Sequence, residues 1–177
     1  MKKKDLILDL FLRYIVLIIT MLIGLKLFYF IFSVVTIYPV YFLLGLFYEA
    51  ILIDGFIIFM SGIKIELIGP CIAGSAYSLL LILNLATPNI KIRKRLKVLF
   101  LSFLALLILN IIRIFILSIL VVKSMFYFNL VHMLFWYILS VVFVITIWFY
   151  LVKRFKIKKI PFYSDLKFLY NLMKKSK

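Results

Sequence analysis

The chain has 177 residues, 67% of them hydrophobic, and a mean hydropathy of +1.24. A soluble domain is only about half apolar, so the polar sequence cannot coat a globule, and the bilayer is the expected solvent for one integral membrane domain over residues 1–177. The net charge of +16 comes mainly from short basic runs between apolar segments, a pattern that the positive-inside rule explains without nucleic acid as a partner.

The opening "MKKKDLILDLFLRYIVLIITMLIGLKLFYFIF" has the basic start of a signal peptide. Its apolar part is too long for one, and no small-residue cleavage site follows, so a retained span is expected over about 12–36. Lys26 sits in the middle of that run. Residues 37–69 come next. "PVYFLLGLFYEAILI" is apolar but carries Glu49, with Asp54 just after it, which fits an amphipathic helix in the outer interface. In "GFIIFMSGIKIELIG", two β-prone runs flank Ser61-Gly62, a signal for a short β-hairpin that includes Lys64 and Glu66. A re-entrant helical hairpin is the other reading of this stretch.

Three more spans are expected, over about 71–88, 98–122 and 130–152. "KIRKRLK" joins the second to the third, and "KRFKIKK" follows the fourth. Placing both runs and "MKKK" in the cytoplasm fixes the orientation: N- and C-termini inside, cell membrane crossed four times, residues 37–69 outside. A cytoplasmic basic tail, 153–177, ends in "IPFYSDLKFLYNLMKKSK", which reads as an amphipathic, membrane-anchored helix. The fold class is thus an all-α polytopic membrane protein: a four-span helix bundle with an outer interfacial helix and a short β-hairpin before the cysteine helix.

Polar groups inside spans are costly and need a reason. Cys71, the sole cysteine, opens the second span after Pro70, where a helix N-terminus favours a thiolate. Gly74 and Ser75 keep the following turn thin enough for a close approach. A lone cysteine is more often an inert small apolar residue. Arg113 lies about 22 Å into the third span at 1.5 Å per residue, in its outer half, and cannot shed its charge. Asn110 is one turn earlier on the same face. These two could equally be an interhelix hydrogen-bonding pair. His132, the sole histidine, starts the fourth span, where Tyr127, Trp136 and Tyr137 also fit an interfacial aromatic belt.

The charge-derived topology places Cys71, Arg113 and His132 on one side of the membrane, although none of them was used to build it. A cysteine with a histidine acid–base is the equipment of thiol acyl transfer, and a fixed guanidinium can stabilise a thiolate or oxyanion. A carboxylate or amide to orient His132 is not identifiable. A single Cys and a single His are too few for a disulfide, a CxxC pair or a protein-built zinc site, so no metal or cofactor is expected. The GxSG serine of rhomboid-like proteolysis and HExxH are both absent.

"GPCIAGSAYSLL" with Cys71, "NIIR" with Asn110 and Arg113, and "NLVHMLFWY" with His132, in that order, resemble the exosortase/archaeosortase family across residues 55–152. Many members have glycine two residues after the cysteine; here Gly74 is three residues on, in a pattern similar to archaeal "C-x-AGS" variants. The four-span core looks like a compact archaeal form. The resemblance implies a transpeptidase-like membrane cysteine peptidase. Its substrates would be secreted proteins with a C-terminal motif, an apolar span and a basic tail. It would cut near the outer face and pass the new C-terminus to an acceptor, a membrane lipid. By the same resemblance Cys71 is the nucleophile, Arg113 the thiolate or oxyanion stabiliser and His132 the acid–base. The competing reading is a non-enzymatic transporter subunit or lipid-binding protein with Arg113 as its anion site.

Overall fold

A computed structural model of the chain describes residues 3–55, 57–60, 62–87, 90–123 and 125–157. The expected tail helix over 160–177 lies outside the described residues.

Helix α1 (Lys3–Gly45) is one element of 43 residues with Pro39 inside it. The chain therefore does not leave the helix near residue 36 for a separate interfacial helix. Residues 37–45 continue α1, because Ile37, Val40 and Leu44 have an apolar surface to bury against and the whole segment stays in register with it. Beyond it, β1 (Ala50–Ile53), β2 (Ile57–Met60) and β3 (Ile63–Glu66) form an antiparallel sheet in the order β1-β2-β3. The sequence reading assigned β1 to the apolar helix, since a four-residue apolar run looks the same either way until it finds a partner. In the sheet Ile53 pairs with Ile57 and Met60 with Ile63. Gly62 has φ +79°, which a side chain would strain.

A single turn, α2 (Gly69–Ile72), precedes α3 (Gly74–Ala86). The cysteine therefore sits in a separate turn, and Ala73, with φ +60°, breaks the helix between them. At 13 residues α3 spans only about 20 Å, less than the expected 71–88. Its end follows from sequence: Thr87 precedes a proline and is extended (φ −75°, ψ 117°), the conformation that proline imposes on its predecessor. Helix α4 (Ile92–Lys123) starts inside the basic run, so "IRKRLK" is its first turns and not a loop. Helix α5 (Met125–Leu134), a π-helical turn (Phe135–Leu139) and α6 (Ser140–Arg154) follow one another without a non-helical residue. Among the described residues two helical segments, Gly24–Gly45 and Ile92–Lys123, are long and apolar enough to cross a membrane; Gly74–Ala86 is apolar but shorter.

Helix α1 packs on α3 and α4, and α6 packs on the same two. One core joins Phe28, Tyr77, Leu80, Val98, Leu106, Val144, Trp148 and Leu151. Its centre is aromatic: Phe32 stacks on Tyr77 with centroids 3.6 Å apart, and Phe103 meets both rings edge-on at 5.6 and 5.5 Å. The second core joins Val40 and Leu44 at the end of α1, Ile58 and Met60 of the sheet, Leu67, Ile72 and Ile114 of α4. The sheet thus covers the end of the bundle where α1 and α4 finish and α3 begins. Lys91, Arg93, Lys94 and Lys97, at the start of α4, and Lys153 and Arg154, at the end of α6, belong to the opposite end.

Candidate functional site

At the break the Pro70 carbonyl still accepts from the Ala73 N–H at 3.3 Å, but the Cys71 carbonyl has no backbone donor among the described residues, and buried carbonyls need donors. Helix α4 supplies them. Asn110 Nδ2 donates to the Cys71 carbonyl at 2.9 Å. Arg113 Nη2 reaches the Pro70 and Cys71 carbonyls, each at 3.5 Å. Arg113 Nη1 donates to Ser140 Oγ at 3.0 Å, and Ser140 Oγ donates to the Phe135 carbonyl at 3.0 Å. The Ser140 backbone N–H also reaches Phe135, closing the π-helical turn. Asn110 and Arg113 therefore tie the cysteine turn to the irregular turn of the last helix.

Arg113 is 7% exposed, and its Nε is buried with no hydrogen-bond partner. Its charge lies within electrostatic reach of the Cys71 thiol. Cys71, Arg113 and His132 all line one cavity of about 200 Å³. Glu66, Ser118 and Phe128 share its wall, with Ile68, Ile114 and Leu117 supplying apolar surface. Cys71 is half-buried. His132 is half-buried too, and its ring stacks on Phe128 with centroids 5.3 Å apart and planes 12° apart. Ser118 is 1% exposed, with its hydroxyl unpartnered. Ser102 and Thr87 instead donate back to the carbonyl four residues earlier, while Thr36 and Ser78, like Ser118, are buried with unpartnered hydroxyls.

The structure thus brings Cys71, Asn110, Arg113 and His132 to one place. Gly74 and Ser75 play other parts. Ser75 is exposed and off the cavity wall. Gly74 packs under Tyr29 of α1, where a Cβ would come within 2.8 Å of the ring. The thin turn therefore receives an aromatic ring of the same chain. Sequence reasoning missed Ser140, Ser118 and Tyr29, since a serine in an apolar helix carries no signal until its hydroxyl has a neighbour. Glu66 was noted only as an outer acid; it is half-exposed, 3.9 Å from Lys64, and is the carboxylate on the cavity wall. Among the described residues no three His, Cys, Asp or Glu side chains gather as metal ligands.

No protein-family model, curated protein sequence or solved structure matches this chain.

Proposed function

We propose that this chain is a membrane cysteine peptidase of transpeptidase type, acting on the C-terminal sorting signal of secreted proteins. One observation carries the reading: the only cysteine, the only histidine and a buried arginine, from three separate elements, line the same cavity. A filler cysteine has no reason to share a cavity with both.

In this proposal α1, α3, α4 and the α5–α6 helix are four spans. The basic ends of α4 and α6 face the cytoplasm, which puts the cavity at the outer side. His132 takes the proton of the Cys71 thiol. The sulfur attacks the scissile carbonyl carbon, and Arg113 stabilises the negative charge that develops on the carbonyl oxygen. The C–N bond then breaks, the amine leaves with the proton held by His132, and a thioester remains. A lipid hydroxyl, giving its proton to His132, attacks the thioester, releases the thiolate and forms an ester. The substrate's own span delivers the bond to the cavity mouth, so membrane geometry supplies much of the positioning. The apolar wall favours transfer over hydrolysis.

A second reading draws on the unpartnered Arg113 Nε: a non-enzymatic site for an anionic headgroup. Co-expression with a secreted protein bearing a motif, span and basic tail separates the two. Mass analysis of that protein's C-terminus is expected to show a shortened, lipid-modified product with the native chain and the intact tail with Cys71→Ala. Equal processing by Cys71→Ala rules out the peptidase.

A further inference from the structure

The sheet ends in an edge that leads into the cysteine cavity. Strand β3 pairs with β2 on one side, and among the described residues no strand pairs with its other side. Two residues separate Met60 from Ile63, and across such a turn the flanking pair exchanges both of its N–H···O bonds. The alternation then turns the N–H and C=O of Ile63 and Ile65 toward β2. It turns those of Lys64 and Glu66 toward the open edge. Both outward residues have exposed side chains, at 59% and 51%. Such an edge is a template for another backbone.

The edge continues into the proposed site. Ile65, Glu66, Leu67 and Ile68 all line the cavity that Cys71 lines. Ile65 and Glu66, the last two strand residues, point to opposite faces and so share one cavity by presenting their edge to it; Leu67 and Ile68 follow the strand. Helix α4 adds Arg113 and Ser118 to the same cavity wall; both are buried, and Arg113 Nε and Ser118 Oγ beneath its surface lack partners. The outward backbone groups of Lys64 lie outside the cavity and those of Glu66 at its wall, so an extended peptide paired with this edge would run into the cavity beside Cys71.

From this we infer that the substrate docks as a fourth strand on β3. The residues preceding its apolar span pair with Lys64 and Glu66, and the strand carries its scissile carbonyl past Glu66 to Cys71, on the wall that Arg113 shares. The inference rests on the proposed peptidase reading and adds how the peptide is held: backbone pairing supplies affinity, and the apolar cavity wall selects the side chain beside the bond.

Disulfide trapping tests it. The full chain carries Cys71→Ala with Glu66→Cys, so the only thiol is on β3 and cleavage is blocked. The co-expressed tail protein carries a single cysteine, moved one position at a time through the ten or so residues before its span. After mild oxidation, crosslinks are expected at every second position, because a paired strand presents alternate side chains to one face. Crosslinks spread evenly over consecutive positions, or none at all, overturn strand docking. Glu66→Pro gives a second measure. It removes an outward N–H without touching a bond to β2, a change edge strands tolerate, and is expected to slow processing about tenfold. If Cys71→Ala still processes the tail while crosslinks alternate, the peptidase reading fails and the docking mode stands. If processing needs Cys71 but crosslinks do not alternate, the peptidase stands and the docking mode fails.

Discussion

Helix α4 carries two arginines that do related work at opposite ends of the bundle. Arg95 and Arg113 are 18 residues apart, about five turns, and so lie on one face. Each comes with an asparagine, and each supplies carbonyls at a helix end that the chain has left open. Arg95 donates to Asn84, Leu85 and Thr87 at 2.6, 3.0 and 3.0 Å, at the end of α3, while Asn84 Nδ2 reaches the Arg95 carbonyl. A cation suits the last turn of a helix for dipole reasons as well. Arg113 meets the carbonyls of Pro70 and Cys71 only at 3.5 Å, keeps an unpartnered Nε and lines a cavity. The same side chain on the same helix is thus a closely bonded cap at the basic end and a loosely bonded one beside the cysteine. Buried donors left short of partners are expensive, so the second arginine carries a hydrogen-bonding cost that the first does not.

Replacing each arginine in turn tests that contrast most severely. Arg113→Ala is expected to lower processing of the tail protein by about a hundredfold or more per folded molecule, the scale of losing an oxyanion donor. Arg95→Ala is expected to lower stability in detergent by about 1–3 kcal/mol through its uncapped carbonyls, with processing per folded molecule nearly unchanged. Equal effects on processing would erase the distinction between the two ends. Gly74→Ala comes next. Its Cβ would meet Tyr29 at 2.8 Å, and overpacking of this kind costs about 1–3 kcal/mol, read as a lower melting temperature. Adding Tyr29→Ala is expected to return part of that loss, a coupling that a double-mutant cycle measures. Asn110→Ala leaves the Cys71 carbonyl to the long bond from Arg113 and is expected to cost about 1 kcal/mol in the same melting experiment. The smallest effect has the opposite sign: Ala73→Gly relieves a left-handed alanine and is expected to stabilise by about 0.5–1 kcal/mol. Destabilisation there would show that the break is held by contacts of the Ala73 methyl.

Much of this site could be read before any coordinates. Arg113 and Asn110 stood out because polar groups in an apolar run demand partners, and both have them. Cys71 and His132 stood out as the only residues of their kinds. The break at Ala73 was not readable, since alanine is a strong helix former and nothing local calls for φ +60°. Neither was the role of Gly74, whose reason lies 45 positions earlier at Tyr29. The long α1 was missed because Glu49 and Asp54 marked the stretch after residue 36 as a separate interfacial helix. Strand β1 was missed because its partner, β2, is what makes it a strand.

By itself the sequence determined an apolar, mostly helical chain with its basic runs between and after the apolar segments. It also singled out the few polar residues of those segments that need a partner. Those conclusions rest on composition and transfer free energy, which are local quantities. Only the tertiary structure decided that the cysteine turn stands apart from its helix, that Asn110 and Arg113 hold it by its backbone, and that Glu66 and Ser118 join the cavity wall. Each of these depends on a buried polar group finding its partner, and the partners come from separate elements that meet only when the helices pack.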